Sequence, residues 1–382
     1  MALPLDYETL RLIWWALIGV LLIGFALTDG FDLGAMALLP FVARNDLERR
    51  MVINTVSATW EGNQVWFILG GGAIFAAWPY VYAVSFSGFY LAMFLVLAAL
   101  ILRPVGFKYR SKRPDPAWRA RWDRALFAGG LVPALVFGVA VGNVLLGAPF
   151  RLDDDLRATY EGSLLGLFTP FSLLAGLLSV AMLVLHGAGW LAMKLEPGPV
   201  QHRARQYGAG VAVLVLALFA AGGAYVAWGG LGFRVADMVD TAGPSNPHLA
   251  RAMAAPGAWL DNYSAHPWMI AAPLLGLLGP LVAFAGLRRR RDALAFAGSS
   301  MAAAGIIATV GLSMFPFILP SAIDPASSLT VWNASSSHLT LFIMLVVVLI
   351  FLPIVLAYTT WAYRVMFGRV GAEEVRLNPD MY

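Results

Sequence analysis

Three carboxylates stand where water should not reach. Asp29 and Asp32 fall within TDGFDLG, inside the first long apolar stretch, and Glu61 falls within TWEGNQVWF, about ten residues into the second. A charge in hydrocarbon costs roughly 3 kcal/mol or more unless it faces protein or water, so such residues are candidate functional groups. Asp29 and Asp32 are three apart and share a helix face. Like charges held close in a low dielectric cannot all stay ionised. Carboxylates in this setting serve as proton relays; the competing role is glue, hydrogen-bonding a neighbouring helix or pairing with an arginine. A protonic or ligand-binding role is favoured for the group of three, with the choice open for each residue alone.

Around Glu61, Asn63 and Gln64 add amide donors and acceptors, and Trp60 and Trp66 bracket it. A polar pocket walled by aromatic rings suits water or a planar, quinone-like head; tight helix packing with satisfied amides is the plainer alternative. Arg103, just before Pro104, closes the third apolar stretch. Its expected fate is to snorkel to lipid phosphate, with pairing to a buried acid as the alternative. Of five histidines only His186 lies inside a stretch, and the chain has no cysteine. One such histidine cannot make a bis-His haem site, thiolate clusters are excluded, and no phosphate loop or metal cluster is visible.

The elements that hold these residues must be membrane spans. Of 382 residues 60% are hydrophobic and 13% charged, against roughly 25% charged in soluble domains. The apolar runs lack period-2 alternation, so helices are expected rather than a barrel. They number nine, at about 12–42, 52–78, 80–106, 125–148, 164–192, 207–228, 267–287, 293–319 and 339–363, each at least about 20 residues and long enough to cross a bilayer. The first lacks a basic leader and reads as an uncleaved span. Counting helices as two groups of four plus a peripheral ninth gives one polytopic membrane domain over 1–382.

Lysine and arginine set the orientation. With the N-terminus outside, 21 basic residues fall at the cytoplasmic side and 5 outside, as the positive-inside rule requires. The C-terminus is then cytoplasmic. The net charge of +4 belongs to this asymmetry and signals no nucleic-acid partner. By helical rise Asp32 lies roughly 18 Å, Asp29 about 22 Å and Glu61 roughly 16 Å from the inner edge, so all three sit near mid-depth. The longest outer loop, about 229–266, is polar enough to cap a site or meet a partner.

At these residues the chain resembles a known family. TDGFDLG, WEGNQVW, AAWP with FSGFY, RPVGF followed by YRSK, and GLSMFPFILPS are similar to subunit II of the cytochrome bd-type quinol oxidases, including the cyanide-insensitive members. The likeness runs from the first helix to the final MFGR. It implies a nine-helix, non-haem subunit of a terminal quinol:O2 oxidoreductase in the bacterial cytoplasmic (inner) membrane. Subunit I, the heterodimer partner, would carry two haems b and one haem d and oxidise quinol at the outer face. Oxygen would be reduced with cytoplasmic protons, building a proton-motive force without pumping. A small single-helix accessory subunit, membrane lipids and a quinone held within this subunit are further implied partners. Asp29, Asp32 and Glu61 occupy positions whose carboxylates are implicated in a hydrophilic route at the subunit interface. His186 matches no motif and is given no role.

A proton-driven secondary transporter using the same acids is the competing function. Such transporters break helices at matching places in two halves, whereas Pro316 and Pro320 have no legible counterpart.

Overall fold

Long apolar runs punctuated by Pro, Gly and arginine turns make this chain a predominantly helical membrane protein. The computed structural model describes residues 3–236, 240–249, 251–378 and 381. Its helices are α1 (Tyr7–Val42), α2 (Asp46–Val56), α3 (Trp60–Ala77), α4 (Pro79–Gly88), α5 (Tyr90–Tyr109), α6 (Pro116–Leu146), α7 (Pro170–Lys194), α8 (Pro199–Trp228), α9 (Asp261–Ala265), α10 (Ala271–Arg288), α11 (Asp292–Met314), α12 (His338–Val365) and α13 (Ala372–Leu377). Among the described residues, eight helices are long and apolar enough to cross a membrane.

The differences from the expected spans have local causes. The stretch 52–78 is split into α2 and α3, and α3 is not among the eight; it is 18 residues long and opens on Trp-Glu-Gly-Asn-Gln. At the break, the hydroxyls of Ser57 and Thr59 bond back to the Asn54 and Val56 carbonyls at 3.4 and 3.5 Å. Such side chains offer the backbone a partner other than the helix ladder. The stretch 80–106 is likewise divided at Phe89 into α4 and α5. The eighth stretch stops at Met314 rather than 319. Phe315 turns extended (φ −52°, ψ 132°), as a residue before proline prefers, and Phe317–Leu319 becomes a strand paired with Leu329–Thr330. Residues 164–169 stay outside α7, which begins at Pro170 behind a Thr169–Ser172 capping box.

α1 is the hub, packed against α3, α6, α7 and α11. Its second half, from Asp29 to Leu39, is buried throughout. The α1–α7 crossing is backbone on backbone: a Cβ on Gly34 would overlap the Leu183 carbonyl. Small residues at a crossing let membrane helices approach this closely. By contrast α12 touches the body mainly through α1 and α3 and buries only Leu341 and Leu345.

One end of the bundle is basic, gathering Arg44, Arg49, Arg110 and Arg203. The other is woven from three antiparallel strand pairs: Phe150–Leu152 with Ala158–Tyr160, Phe233–Val235 with Ala252–Ala254, and Phe317–Leu319 with Leu329–Thr330. Phe233, Trp259 and Phe317 form a small core there. Arg11, fully buried near the start of α1, ties the layer down by donating to Ser335 Oγ and to the Thr241 and Gly243 carbonyls. The expected loop 229–266 is part of this layer, although 237–239 and 250 lie outside the described residues.

Candidate functional site

Asp29 is not free. Arg103, reaching in from α5, grips it with both terminal nitrogens, Nη1 to Oδ1 at 2.8 Å and Nη2 to Oδ2 at 2.9 Å. Both side chains are 0% exposed. Planar guanidinium and carboxylate match in this two-bond geometry, and charge-assisted bonds are roughly twice as strong as neutral ones. The expectation that Arg103 snorkels to lipid phosphate is thus replaced by its alternative. At full burial the nearest compensation for its charge is an acid on the neighbouring helix, and Asp29 supplies it.

Asp32, one turn further along α1, is held differently. Asn63 Nδ2 donates to its Oδ2 at 2.8 Å, while its Oδ1 is buried with no partner among the described residues. Arg103 Nε is likewise buried without a partner among the described residues. The amide is itself held, since the Tyr363 hydroxyl donates to Asn63 Oδ1 at 2.5 Å. A continuous set of side chains therefore runs from α1 through α3 to the last turn of α12.

Glu61 does not join this set. It lies in the first turn of α3, two residues before Asn63. At about 100° per residue, positions 61 and 63 look to opposite sides of a helix. Asn63 takes the inward side and Glu61 is exposed, without a hydrogen bond or ion pair among the described residues. Val65, Ile68 and Leu69 share the exposed surface. The bracketing tryptophans do not wall a common pocket. Trp60 is buried against Phe107, ring centroids 5.8 Å apart, and Trp66 lies over Gly24 of α1. Gln64 is half-buried and makes no side-chain hydrogen bond among the described residues.

His186 is fully buried between α1, α7 and α11. Its Nε2 lies 3.0 Å from the Leu27 carbonyl and its Nδ1 2.9 Å from Ser299 Oγ. A carbonyl only accepts, so Nε2 carries the proton and Nδ1 faces the hydroxyl. The ring stacks on Phe296 with centroids 4.7 Å apart. With both nitrogens engaged, His186 does not fit a haem iron. Among the described residues no group of three or more His, Asp or Glu is placed to hold a metal.

The basic end carries a second polar set that the sequence did not mark. Asp123 of α6 accepts from Arg49 and Arg110, and Asp46 from Arg110 and Arg119. Glu48 accepts from the Arg44 backbone N–H and from Arg203, both at 2.6 Å. Partial burial pushes its carboxyl up, but these two donors outweigh it and leave it below its ordinary value. Arg203 Nε also donates to the Val42 carbonyl, closing the end of α1.

Tyr363 is the site residue that sequence reasoning missed. An aromatic near a span end is by default part of the interfacial belt, and nothing local to it announces a partner 300 positions away.

Comparison with known proteins gives this arrangement a family. Residues 10–366 match the family model for cytochrome bd terminal oxidase subunit II. The "Probable cytochrome oxidase subunit 2" of Haemophilus influenzae is 48% identical, the match covering 98% of each chain. The "Cytochrome bd-I ubiquinol oxidase subunit 2" of Escherichia coli (strain K12) is 48% identical with the same coverage. The "Cytochrome bd ubiquinol oxidase subunit 2" of Bacillus subtilis is 32% identical over 95% of this chain and 97% of its own. A chain of the bd oxidase from Geobacillus thermodenitrificans has the same fold, with a TM-score of 0.68 and 16% identity over 94% of this chain and 99% of that one. Eight apolar helices and these relatives together make it a multi-pass protein of the bacterial inner membrane, and the chain belongs to the family of cytochrome bd terminal oxidase subunit II.

Proposed function

We propose that the chain is the non-haem subunit of a quinol:O2 oxidoreductase. It braces a haem-bearing subunit I and contributes a carboxylate-lined proton route from the cytoplasm. The observation that carries this reading is the Asp29–Arg103 and Asp32–Asn63–Tyr363 set. It is buried, polar and continuous from the middle of α1 to the end of α12. One carboxylate is locked by a permanent cation. The other keeps one oxygen open to a proton or a water. The route runs with the N-terminus outside and the basic end cytoplasmic, an orientation supported by the gathering of Arg44, Arg49, Arg110 and Arg203 at one end. Nine crossings in two groups of four plus a ninth follow if α2 and α3 together make the second crossing.

Glu61 supports the placement of the partner. A carboxylate turned to lipid at this depth costs roughly 3 kcal/mol or more, so the face it shares with Val65, Ile68 and Leu69 meets subunit I. The route then passes from Asp32 to Glu61 across the subunit boundary. The haems belong to that partner, as does quinol oxidation, since His186 offers no iron ligand. A quinone or lipid between Trp60, Gln64 and Trp66 draws no support from their divergent packing. Membership of the oxidase family removes the support for a stand-alone transporter.

The test is Glu61→Gln and Asp32→Asn in the assembled oxidase. Both keep shape and hydrogen bonding but remove the exchangeable proton. Slow quinol oxidase turnover with normal haem content is expected; wild-type turnover of both variants at several pH values would refute the route.

A further inference from the structure

We infer that Tyr363, acting through Asn63, is a positioning residue that biases Asp32 toward its ionised form. The inference rests on the proton-route reading above and assigns a role to two side chains from helices other than the acid's own. A tyrosine hydroxyl that donates to Asn63 Oδ1 leaves the amide one orientation, in which Nδ2 points at Asp32 Oδ2. That orientation offers the acid a donor, which stabilises a carboxylate more than the weaker carbonyl acceptor of a carboxylic acid. The bonds also polarise one another, because an amide whose oxygen accepts donates more strongly from its nitrogen.

The opposite state is equally well defined. A proton on Asp32 Oδ1 would leave Asn63 Nδ2 donating to the Oδ2 carbonyl, a weaker acceptor than a carboxylate. A proton on Oδ2 must be donated to Asn63, so the amide has to rotate and present Oδ1 to the acid. Its Nδ2 then donates to Tyr363 Oη, whose own hydrogen moves to another acceptor; the Thr59 side chain lies within its reach. Protonation of Asp32 on Oδ2 is thereby linked to reversal of two hydrogen bonds, the second of them on α12. The amide does not itself carry the proton, because relay through it would require its imidic tautomer. It reports the proton instead.

The other charges around Asp32 are accounted for. Asp29 faces it from its own helix and Arg103 from α5, paired with each other. α3 turns Glu61 outward. His186 of α7 is committed to Leu27 and Ser299, Asp123 of α6 to Arg49 and Arg110, and Asp292 of α11 to Arg205 and Arg369.

The experiment uses the assembled oxidase in membranes, reading turnover against pH and the infrared carboxylic-acid band that disappears in Asp32→Asn. Tyr363→Phe removes the donor, so Asn63 accepts either form of the acid. The acid limb of the turnover profile should move up by roughly 0.5–1 pH unit, and the Asp32 band should persist to higher pH. Difluorotyrosine at position 363, a stronger donor of the same shape, should move both the other way. Tyr358→Phe, on the exposed side of the same helix, should move neither. If the position-363 variants assemble with full haem and leave profile and band where they were, the inference is overturned while a slow Asp32→Asn still upholds the proton route. If Asp32→Asn itself turns over normally with an unchanged profile, the route has failed and the inference falls with it. Should Tyr363→Phe not assemble, the difluorotyrosine protein decides alone: no shift refutes the inference.

Discussion

Removing Arg103 tests whether Asp29 is held by it as an ion pair or merely lies beside it. The guanidinium and Asp29 are both 0% exposed and joined by two bonds of 2.8 and 2.9 Å. Breaking a buried pair by deleting one member costs about 3–5 kcal/mol, because the other charge is left without compensation. The two single variants should differ in kind. Arg103→Met strands Asp29 and Asp32, which can shed their charge by taking up protons, so part of the loss should be recovered as pH falls. Asp29→Asn strands Arg103, which cannot lose its proton; its loss should persist at every pH, softened only where Asp32 serves as substitute partner. Replacing both residues by leucine removes the charges together and should return stability to within about 2 kcal/mol of the original. The assay is thermal loss of the intact complex in membranes, followed by haem absorbance for the single variants and the double variant. Losses that simply add in the double variant, or single variants as stable as the parent, would refute the ion-pair account.

Other outcomes follow from the same geometry. Lys112→Cys, on the exposed basic end, should resist an impermeant thiol reagent in intact cells while Asp154→Cys, in the layer of strand pairs, reacts; the reverse would invert the orientation. His186→Ala should leave every haem band of the complex unchanged yet lower thermal stability by about 1–3 kcal/mol, since the Leu27 carbonyl and Ser299 lose their partner; loss of a haem band at normal subunit I levels would overturn this. Glu48 has its carboxyl below its ordinary value of 4.5, so its contribution is complete above that value. The contribution is lost as pH falls through the lower folded-state value. Glu48→Gln should therefore flatten the acid limb of the stability profile, and an unchanged limb would show that Glu48 contributes nothing there.

Much of the fold was legible because hydrocarbon imposes one strong rule: a span must be long, apolar and helical. The breaks were less legible, since they depend on small local competitors. Ser57 and Thr59 divide the second stretch, and Pro316 ends the eighth five residues short of expectation. Within the site, Asp29 and Asp32 announced themselves by being acids in hydrocarbon. Their partners did not. Arg103 sits near a span end, where lipid phosphate is the ordinary partner, and only the packing of α5 on its neighbours turns it inward. Glu61 carried the same signal as Asp32, but depth along a helix says nothing of azimuth, and the two-residue offset from Asn63 sends it outward. Tyr363 depends on contact between α12 and α3, which no local pattern encodes.

The lodging of α1 among four other helices has a consequence for how this protein can vary. Its stretch from Asp29 to Leu39 is buried at every position, and the Gly34 crossing leaves no room for even a methyl group. A saturation library should find this segment almost closed to change, because substitutions there must overcome overpacking as well as any lost proton chemistry. α12 is mainly exposed, with only Leu341 and Leu345 buried, and should accept most apolar residues along its outer faces. Retuning the subunit for a bilayer of different thickness or a differently shaped partner is therefore open to selection on α12 and the outer sides of α8 and α10. The acids stay on the least editable length of the chain.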